Sequence, residues 1–357
     1  MSAKKKVLVA MSGGVDSSVA AAILLEQGYE VEGVTLQIWP DIDVAEATDK
    51  NCSLFSAVND AKAVAEHLGI PFHVWDFQEL FCHKVINPFV DEYLKGRTPN
   101  PCIMCNKAIK FGALLDKAME MGFDYIATGH YATIDKLENG RRALSLATTA
   151  EKDQTYVLYN LKQDQLKRIL LPLGNMYKPQ VREYAKKMNI PVFNKPDSQE
   201  ICFVKDNDYA GFIEKAGYES VQGIFVDTSG NVIGKHKGIT HYTIGQRKGL
   251  GMTFGKPMFV VKIKPETNEV VLGDNTDTFA NELFATDINW ITFESLPLKG
   301  VKCKAKIRYN GPAADATVLP CDNGVKVVFE NPVRAVTPGQ SVVFYDENTV
   351  IGGGIIQ

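Results

Sequence analysis

The first strand predicted from the sequence is followed by a segment rich in glycine and serine, Ser12-Gly13-Gly14-Val15-Asp16-Ser17-Ser18. Glycines let a backbone approach a ligand closely, serines donate hydrogen bonds, and a helix N-terminus attracts an anion, so the segment predicts a phosphate site. It lacks the lysine of the Walker sequence and the G-x-G-x-x-G spacing, which disfavours P-loop NTPases and dinucleotide-binding proteins. Taken alone, an ordinary βα turn in which Ser12 or Asp16 caps the helix fits equally well.

The S-G-G-x-D-S pattern resembles the pyrophosphate loop of the ATP pyrophosphatases, which adenylate an oxygen of their substrate and release pyrophosphate. Further motifs follow it along the chain, and together they resemble the tRNA-specific 2-thiouridylase (MnmA) family from residue 7 to the C-terminus. In chain order they are Gly96-Arg97-Thr98-Pro99-Asn100-Pro101-Cys102-Ile103-Met104-Cys105-Asn106-Lys107, Thr128-Gly129-His130-Tyr131, Lys152-Asp153-Gln154-Thr155-Tyr156, Asp197-Ser198-Gln199-Glu200-Ile201-Cys202-Phe203 and His241-Tyr242-Thr243-Ile244-Gly245-Gln246-Arg247.

This resemblance implies a sulfurtransferase that uses ATP and Mg²⁺ to thiolate the wobble uridine, U34, of tRNAs for Lys, Glu and Gln. The expected intermediates are an adenylated uridine and a cysteine persulfide, and the products are 2-thiouridine, AMP and pyrophosphate. The expected partners are tRNA and a sulfur donor, either a cysteine desulfurase or a relay carrier.

The resemblance also assigns binding residues. The nucleotide would contact Ala10, Met11, Ser12, Gly13, Gly14, Val15, Asp16, Ser17, Leu36 and Gly129. The target base would lie beside Asn100, Pro101 and Cys102, and other parts of the tRNA would contact His130, Lys152, Asp153, Gln154, Arg308, Tyr309 and Gln340. Simpler interpretations stay open: Leu36 as core, Gly129 as a turn glycine, and His130 as a solvated or capping histidine.

Two cysteines carry the expected sulfur chemistry. By the resemblance, Cys202 holds the persulfide and Cys105 is the nucleophile that attacks it, which leaves a disulfide to be reduced. Cys202 could instead be a buried apolar cysteine in a strand. For Cys105 we expect an exposed position between a loop and a helix, where the helix N-terminus and Lys107 would lower the pKa of the thiol.

Cys102 departs from the family pattern, because many relatives have an aspartate there that is thought to assist proton transfer. Cys102, Cys105 and Cys202 would supply three thiolates to a [4Fe–4S] cluster with one open iron. A redox pair, a zinc half-site and a neutral replacement are the other interpretations of C-x-x-C. We favour the persulfide route; the remaining cysteines and histidines predict no metal site.

Composition limits the class of protein. The 357 residues carry a net charge of −3, and 45% of them are hydrophobic, as in ordinary globular proteins. No apolar run is long enough for a membrane span or a secretory signal. Seven cysteines, an odd number, do not resemble an extracellular disulfide framework, so we expect a cytoplasmic protein without a membrane partner.

Alternating strand and helix patterns predict an α/β domain with a mainly parallel, Rossmann-like sheet over residues 1–206. Residues 207–276 predict a small β-rich central module and residues 277–357 a C-terminal β-barrel that contacts tRNA. Within the first domain, residues 40–53 predict an exposed insertion of unknown role. Ligands of such sheets bind beyond the carboxyl ends of the strands, which is where the loops after Met11, Gln37 and Thr128 lie.

Residues 231–264 contain seven basic residues and no Asp or Glu, which favours contacts to RNA phosphates over an ordinary solvated face. Two other functions are compatible with the same sequence. A synthetase that adenylates a small molecule for amide formation would need neither Cys105 nor Cys202, and an RNA-binding or sulfur-carrying protein would need no intact nucleotide loop.

Overall fold

The computed structural model describes residues 4–38, 53–197, 201–204 and 208–357, without the side chains of residues 53–55. Residue contacts divide the chain into two compact units. The first unit comprises Met1–Val85, Cys102–Gln199 and Asn348–Val350, and the second comprises Ile86–Pro101, Glu200–Glu347 and Ile351–Gln357.

The helices are α1 Val15–Glu26, α2 Ser53–Leu68, α3 Gln78–Phe81, α4 Asn87–Leu94, α5 Pro101–Met104, α6 Leu114–Glu120, α7 Gln163–Leu166, α8 Lys178–Lys187 and α9 Tyr209–Lys215, with π-helical stretches at Cys82–Ile86 and Cys105–Ala113. The strands are β1 Lys6–Ala10, β2 Glu30–Gln37, β3 Phe72–Asp76, β4 Tyr125–Ala127, β5 Thr133–Lys136, β6 Arg142–Ser145, β7 Ile169–Leu170, β8 Gly223–Val226, β9 Val232–His236, β10 Phe259–Lys264, β11 Glu269–Gly273, β12 Phe279–Trp290, β13 Val301–Lys306, β14 Ala314–Cys321, β15 Gly324–Arg334, β16 Ser341–Asp346 and β17 Thr349–Ile356. None of the described helices is both long and apolar enough to cross a membrane.

A parallel sheet in the order β3-β2-β1-β4-β7 forms the centre of the first unit. Val7, Leu8 and Val9 of β1 are fully buried, as expected for a central strand covered on both faces. The chain leaves β1 toward one side of the sheet and β4 toward the other, so a crevice opens between the carboxyl ends of these two neighbours. The predicted Rossmann-like sheet is confirmed.

The second unit contains two β-structures. The sheet β10-β11-β8-β9 surrounds a core that includes Phe225 and Val260. Strands β12-β15-β14-β13-β16-β17 follow in that order, and β12 also pairs with β17, which closes a six-stranded barrel. The predicted β-rich module and C-terminal barrel are confirmed, since closure removes the exposed sheet edges that a small β-domain would otherwise present.

Several elements lie where the sequence pattern did not place them. The sequence predicted neither the β5–β6 hairpin, whose β6 also pairs with Thr349 and Val350, nor the long barrel strand β12. Strand β17 was not predicted, because its three consecutive glycines have low strand propensity. The sequence pattern predicts a strand over Val301–Tyr309, but β13 ends at Lys306, and Arg308 and Tyr309 lie in the turn after it. Of the expected insertion, residues 40–52 lie outside the described residues and residue 53 begins α2.

The glycines of β17 have a packing role. A Cβ on Gly352 would lie 2.5 Å from the Trp290 ring and 2.6 Å from the carbonyl oxygen of Asn289. A Cβ on Gly354 would lie 2.3 Å from the side chain of Ile288. Because β12 and β17 approach this closely, only glycine fits, and the barrel can close.

His236 makes the stability of the central module depend on pH. The residue is 2% exposed, its Nδ1 accepts a hydrogen bond from the Gly238 amide at 3.1 Å, and burial lowers its pKa below the ordinary value. Below about pH 6.5 the unfolded state therefore binds a proton that the folded state does not, and stability falls as the pH falls toward the folded pKa.

We expect the opening free energy of β8 and β9 to decrease between about pH 7.5 and 5.5, measured by hydrogen exchange corrected for the intrinsic rate. His236→Asn keeps an acceptor near Gly238 but cannot titrate, so it should flatten this dependence. An equal slope in the two proteins would show that another group is responsible.

Candidate active site

The segment Ser12–Ser18 forms a tight loop between β1 and α1. Gly13 has a φ of +70°, and a Cβ there would lie 2.3 Å from the carbonyl oxygen of Ala57, so only glycine fits. The Ser12 amide donates to Ser17 Oγ at 3.2 Å, and the hydroxyls of Ser17 and Ser18 donate to the Gly14 carbonyl at 3.2 and 2.8 Å. Gly14 itself provides no side-chain cap for α1. The N-terminus of α1 therefore has no side-chain cap, and anion binding at this loop stays a prediction.

Gly129, which follows β4, lies directly against this loop. A Cβ on Gly129 would be 2.7 Å from the Ser17 amide nitrogen and 2.8 Å from the backbone carbon of Asp16. Ala10 ends β1, the buried Met11 donates its amide to Val34 at 2.8 Å, and the predicted adenine neighbour Leu36 is half-buried near the end of β2. The structure therefore brings the predicted nucleotide residues to the carboxyl ends of β1, β2 and β4.

Asp16 has two strong partners in the first unit. Tyr131 donates its hydroxyl to Asp16 Oδ1 at 2.7 Å, and Lys178 Nζ lies 2.7 and 2.8 Å from the two carboxylate oxygens. Burial, and next the Asp16 charge, raise the pKa of Tyr131, so this phenol stays protonated and keeps donating. Lys178 was not predicted from the sequence. The structure shows it as the first residue of α8, where the helix dipole disfavours a cation.

Asp197 pairs with three cations, one of which is Lys178. Its carboxylate lies 2.7 Å from Lys178 Nζ, 2.9 Å from Lys152 Nζ and 2.9 Å from Arg182 Nη2. Burial alone would raise the pKa of Asp197, but the hydrogen bonds from Lys178 and Lys152 hold it below its ordinary value. Asp197 therefore stays ionised and ties α8 to the segment that contains Lys152.

Lys195 adds a second connection to the phosphate loop. Its Nζ donates to the Gly13 carbonyl at 3.1 Å and lies 2.6 Å from Asp60 Oδ2. Arg182 Nη1 donates to the carbonyl oxygens of Phe193 and Lys195, both at 3.2 Å. These side chains fix residues 193–197 against the loop. They were not predicted from the sequence, because residues that lie far apart along the chain form no local pattern.

Cys102 and Cys105 lie at the junction of α5 with the following π-helical stretch. Cys102 is exposed and Cys105 half-buried, so the expectation of an exposed Cys105 is wrong. Desolvation by the surrounding protein raises the pKa of both thiols, and Lys110 opposes this with its positive charge. The predicted lowering of the Cys105 pKa by Lys107 is therefore wrong. In the π-helical stretch, hydrogen bonds join residues i and i+5, which stacks Lys110 one turn above Cys105.

Cys202 belongs to the second unit and is exposed. It lies in a turn beside the buried Phe203, whose ring packs 5.2 Å from Phe89 and 5.2 Å from Phe212. The interpretation of Cys202 as a buried strand cysteine is wrong, because the neighbouring phenylalanine takes the core position instead. The pairing of Cys105 with Cys202 stays a prediction.

The motif residues expected near tRNA make defined contacts within the first unit. His130 is buried, with Nδ1 2.7 Å from the Thr128 hydroxyl, and burial lowers its pKa well below the ordinary value, so the solvated interpretation is wrong. Asp153 accepts from the Ala147 amide at 3.1 Å, and Gln154 accepts from the Tyr131 amide at 2.9 Å. Their contacts to tRNA stay predictions.

In the second unit, Gln340 supports the segment that leads to Asn100. Its side-chain amide donates to the Thr98 carbonyl at 2.7 Å, while the Thr98 amide donates to Pro338 at 2.9 Å. Arg97 pairs with Glu92 at 2.6 Å and donates to the Ile356 carbonyl at 3.1 Å. Arg308 and Tyr309 are half-buried, and Lys306 Nζ lies 5.9 Å from the Tyr309 ring centre. The structure thus joins Gln340 to the start of the Asn100 motif.

In the part of the chain that the structure describes, no three His, Cys, Asp or Glu side chains lie close enough to hold a metal ion. Cys102 and Cys105 are in the first unit and Cys202 is in the second.

Comparison with known proteins identifies the family. Family models match as the tRNA methyl transferase HUP domain over residues 5–206, the tRNA methyl transferase PRC-barrel domain over residues 210–274 and the aminomethyltransferase beta-barrel domain over residues 280–356. The chain is 58% identical to the tRNA-specific 2-thiouridylase MnmA of Acetivibrio thermocellus, and the match covers 99% of both chains. The chain belongs to the tRNA-specific 2-thiouridylase family.

Other members of the family agree with this assignment. The chain is 56% identical to the 2-thiouridylases MnmA of Clostridioides difficile and Carboxydothermus hydrogenoformans, over 99% of this chain and 98% of each of theirs. It is therefore a tRNA-thiolating sulfurtransferase with a nucleotide-binding domain of the ATP pyrophosphatase type. The family, fold class and enzyme class predicted from sequence are confirmed.

The close approach of Gly129 to the loop predicts a sensitive position. In Gly129→Ala the new methyl group meets backbone atoms that cannot move freely, at a typical cost of about 1–3 kcal/mol. We expect ATP to bind about tenfold more weakly, measured by calorimetry without tRNA. Gly122→Ala is the control, because it carries backbone strain at φ +85° but meets nothing within 4 Å. Equal ATP affinity of the Gly129 variant and the wild type would contradict the packing argument.

Proposed function

We propose that this enzyme binds ATP and Mg²⁺ at residues 10–17, Leu36 and Gly129, and uses them to activate the C2 oxygen of U34 in tRNAs for Lys, Glu and Gln. The observation that carries the proposal is the pyrophosphate loop at the crevice of the parallel sheet, in a chain 58% identical to a 2-thiouridylase. A nucleotide fits this loop because its glycines leave the backbone open and its helix N-terminus attracts phosphate.

ATP serves as a reagent in this reaction. Attack of the uridine C2 oxygen on the α-phosphorus forms the adenylated uridine and releases pyrophosphate, with Mg²⁺ balancing the charge of the phosphates. A sulfur nucleophile then adds at C2 and expels AMP. The helix α1 N-terminus would face the phosphates, and its uncapped amides would stabilise their charge.

Sulfur would arrive on Cys202 as a persulfide. The Cys105 thiolate attacks the Cys202 Sγ, the sulfur–sulfur bond of the persulfide breaks, and hydrosulfide leaves with the electron pair. A Cys105–Cys202 disulfide remains, which a thiol reductant must reduce before the next turnover. The exposed turn of Cys202 favours loading by a cysteine desulfurase or relay carrier. Desolvation raises the pKa of the Cys105 thiol, and the charge of Lys110 offsets part of this rise.

Contacts to tRNA would come from both units. Asn100, Pro101 and Cys102 would adjoin the target base, and His130, Lys152, Asp153, Gln154, Arg308, Tyr309 and Gln340 would contact the tRNA around it. Exposed basic residues of the central module, including Lys235, Arg247 and Lys248, suit phosphate contacts, whereas Lys256 and Lys264 are paired with Asp274 and Glu269. We place the domain boundaries at residues 206/207 and 276/277 and the enzyme in the cytoplasm.

The direct test of this function combines the protein with ATP, Mg²⁺, a persulfide source and unmodified tRNA. Mass analysis of the digested nucleosides should show sulfur in place of oxygen in uridine, and only with ATP present. Pyrophosphate release without tRNA, with no thiolated product, would instead favour a small-molecule synthetase.

The two thiols give a second prediction. We expect Cys105→Ser and Cys202→Ser each to lower thiolation about a hundredfold or more, because a hydroxyl can neither carry nor attack a persulfide sulfur. Cys321→Ser, at the exposed end of β14 in the barrel, is the matched control and should retain wild-type activity. Wild-type activity in either of the first two variants would contradict the persulfide route.

The iron–sulfur alternative makes a different prediction. Under the persulfide route, protein purified without oxygen is active and contains no bound iron or sulfide. About four iron and four sulfide per active chain, lost together with activity on chelation, would assign Cys102, Cys105 and Cys202 to a cluster instead.

A further inference from the structure

Lys178 is an unusual residue of the first unit that the proposed chemistry does not use. Its side chain is only 12% exposed, and lysine is rarely buried unless it is paired. It is also the first residue of α8, where the helix dipole opposes a positive charge. Two unfavourable conditions at one lysine require a compensating interaction.

That compensation comes from two carboxylates on different segments. The ammonium group has three N–H donors and three close acceptor oxygens: both oxygens of Asp16, at 2.7 and 2.8 Å, and Asp197 Oδ1 at 2.7 Å. Asp16 belongs to the phosphate loop, whereas Asp197 lies 181 residues later in the chain. Lys178 is therefore the ion that joins them.

We propose that Lys178 is a positioning residue for nucleotide binding, which holds the Asp16 carboxylate against Tyr131 and neutralises it beside the triphosphate. This inference rests on the proposed ATP site. Asp16 is the carboxylate of the phosphate loop, and an uncompensated negative charge there would repel a polyanionic ligand. Tyr131 donates one hydrogen bond to Asp16 but carries no charge that could offset it.

Asp197 differs from Asp16 because it has cationic partners besides Lys178. Besides Lys178 it contacts Lys152 and Arg182, which are 39% and 36% exposed and can remain hydrated when the carboxylate is removed. Loss of the Asp197 charge would leave these cations free to attract phosphate, while Lys178 would keep its two contacts to Asp16. Removing Lys178 or removing the charge of Asp197 should therefore change ATP affinity in opposite directions.

The experiment compares Lys178→Met, Asp197→Asn and the wild type in calorimetric titrations with MgATP, without tRNA or sulfur donor. We expect Lys178→Met to bind about tenfold more weakly and Asp197→Asn about two- to threefold more tightly. Both variants break the same partly buried bridge, so both should unfold at a lower temperature than the wild type. Lys187→Met, at the exposed C-terminal end of the same helix, is the control and should bind like the wild type.

Opposite changes in affinity together with parallel losses in stability support a positioning role. Weaker binding in both variants would make the bridge a purely structural element and overturn the inference, as would unchanged binding in Lys178→Met. Failure of the wild type to bind MgATP would contradict the proposed function itself, so the two failures can be told apart.

Discussion

Two stretches of backbone, the loop after β1 and the residue after β4, meet at the crevice of the parallel sheet with no room for side chains. Gly13 lies against Ala57, and Gly129 lies against the backbone of Asp16 and Ser17. This contact fixes the N-terminus of α1 at the point where the sheet topology opens a ligand site. Asp16 takes part in this contact, so the close approach also fixes the carboxylate with which Lys178 pairs.

Acidic and basic side chains around the loop are paired with one another. Lys178 lies between the carboxylates of Asp16 and Asp197, and Lys152 and Arg182 add further positive charge beside Asp197. A polyanionic ligand would thus meet cations that the fold has already ordered, which lowers the entropic cost of binding. Desolvation favours the neutral form of other groups in the same unit: it lowers the pKa of His130 and raises the pKa of the Cys102 and Cys105 thiols.

The cysteines show where local sequence patterns mislead. Ile201 and Phe203 beside Cys202 indicate a buried strand, yet only Phe203 enters the aromatic cluster with Phe89 and Phe212, and the cysteine turns outward. Near Cys105, Lys107 is the closer lysine in sequence, but the π-helical geometry brings Lys110 onto the thiol's face. In both cases the outcome depends on how side chains pack, which residue type and spacing do not specify.

From the sequence alone, the parallel sheet of the first domain, the β-rich domains and the family could be predicted, because alternating strand and helix patterns and ordered motifs are local features of a sequence. The phosphate site and the roles of Cys105 and Cys202 stay predictions. The strands β12 and β17 could not be predicted, because their pairing depends on glycines that allow close approach and not on strand propensity. The bridge from Asp16 through Lys178 to Asp197 could not be predicted from the sequence either. Its three members are distant along the chain, and only folding brings their charges within hydrogen-bonding distance.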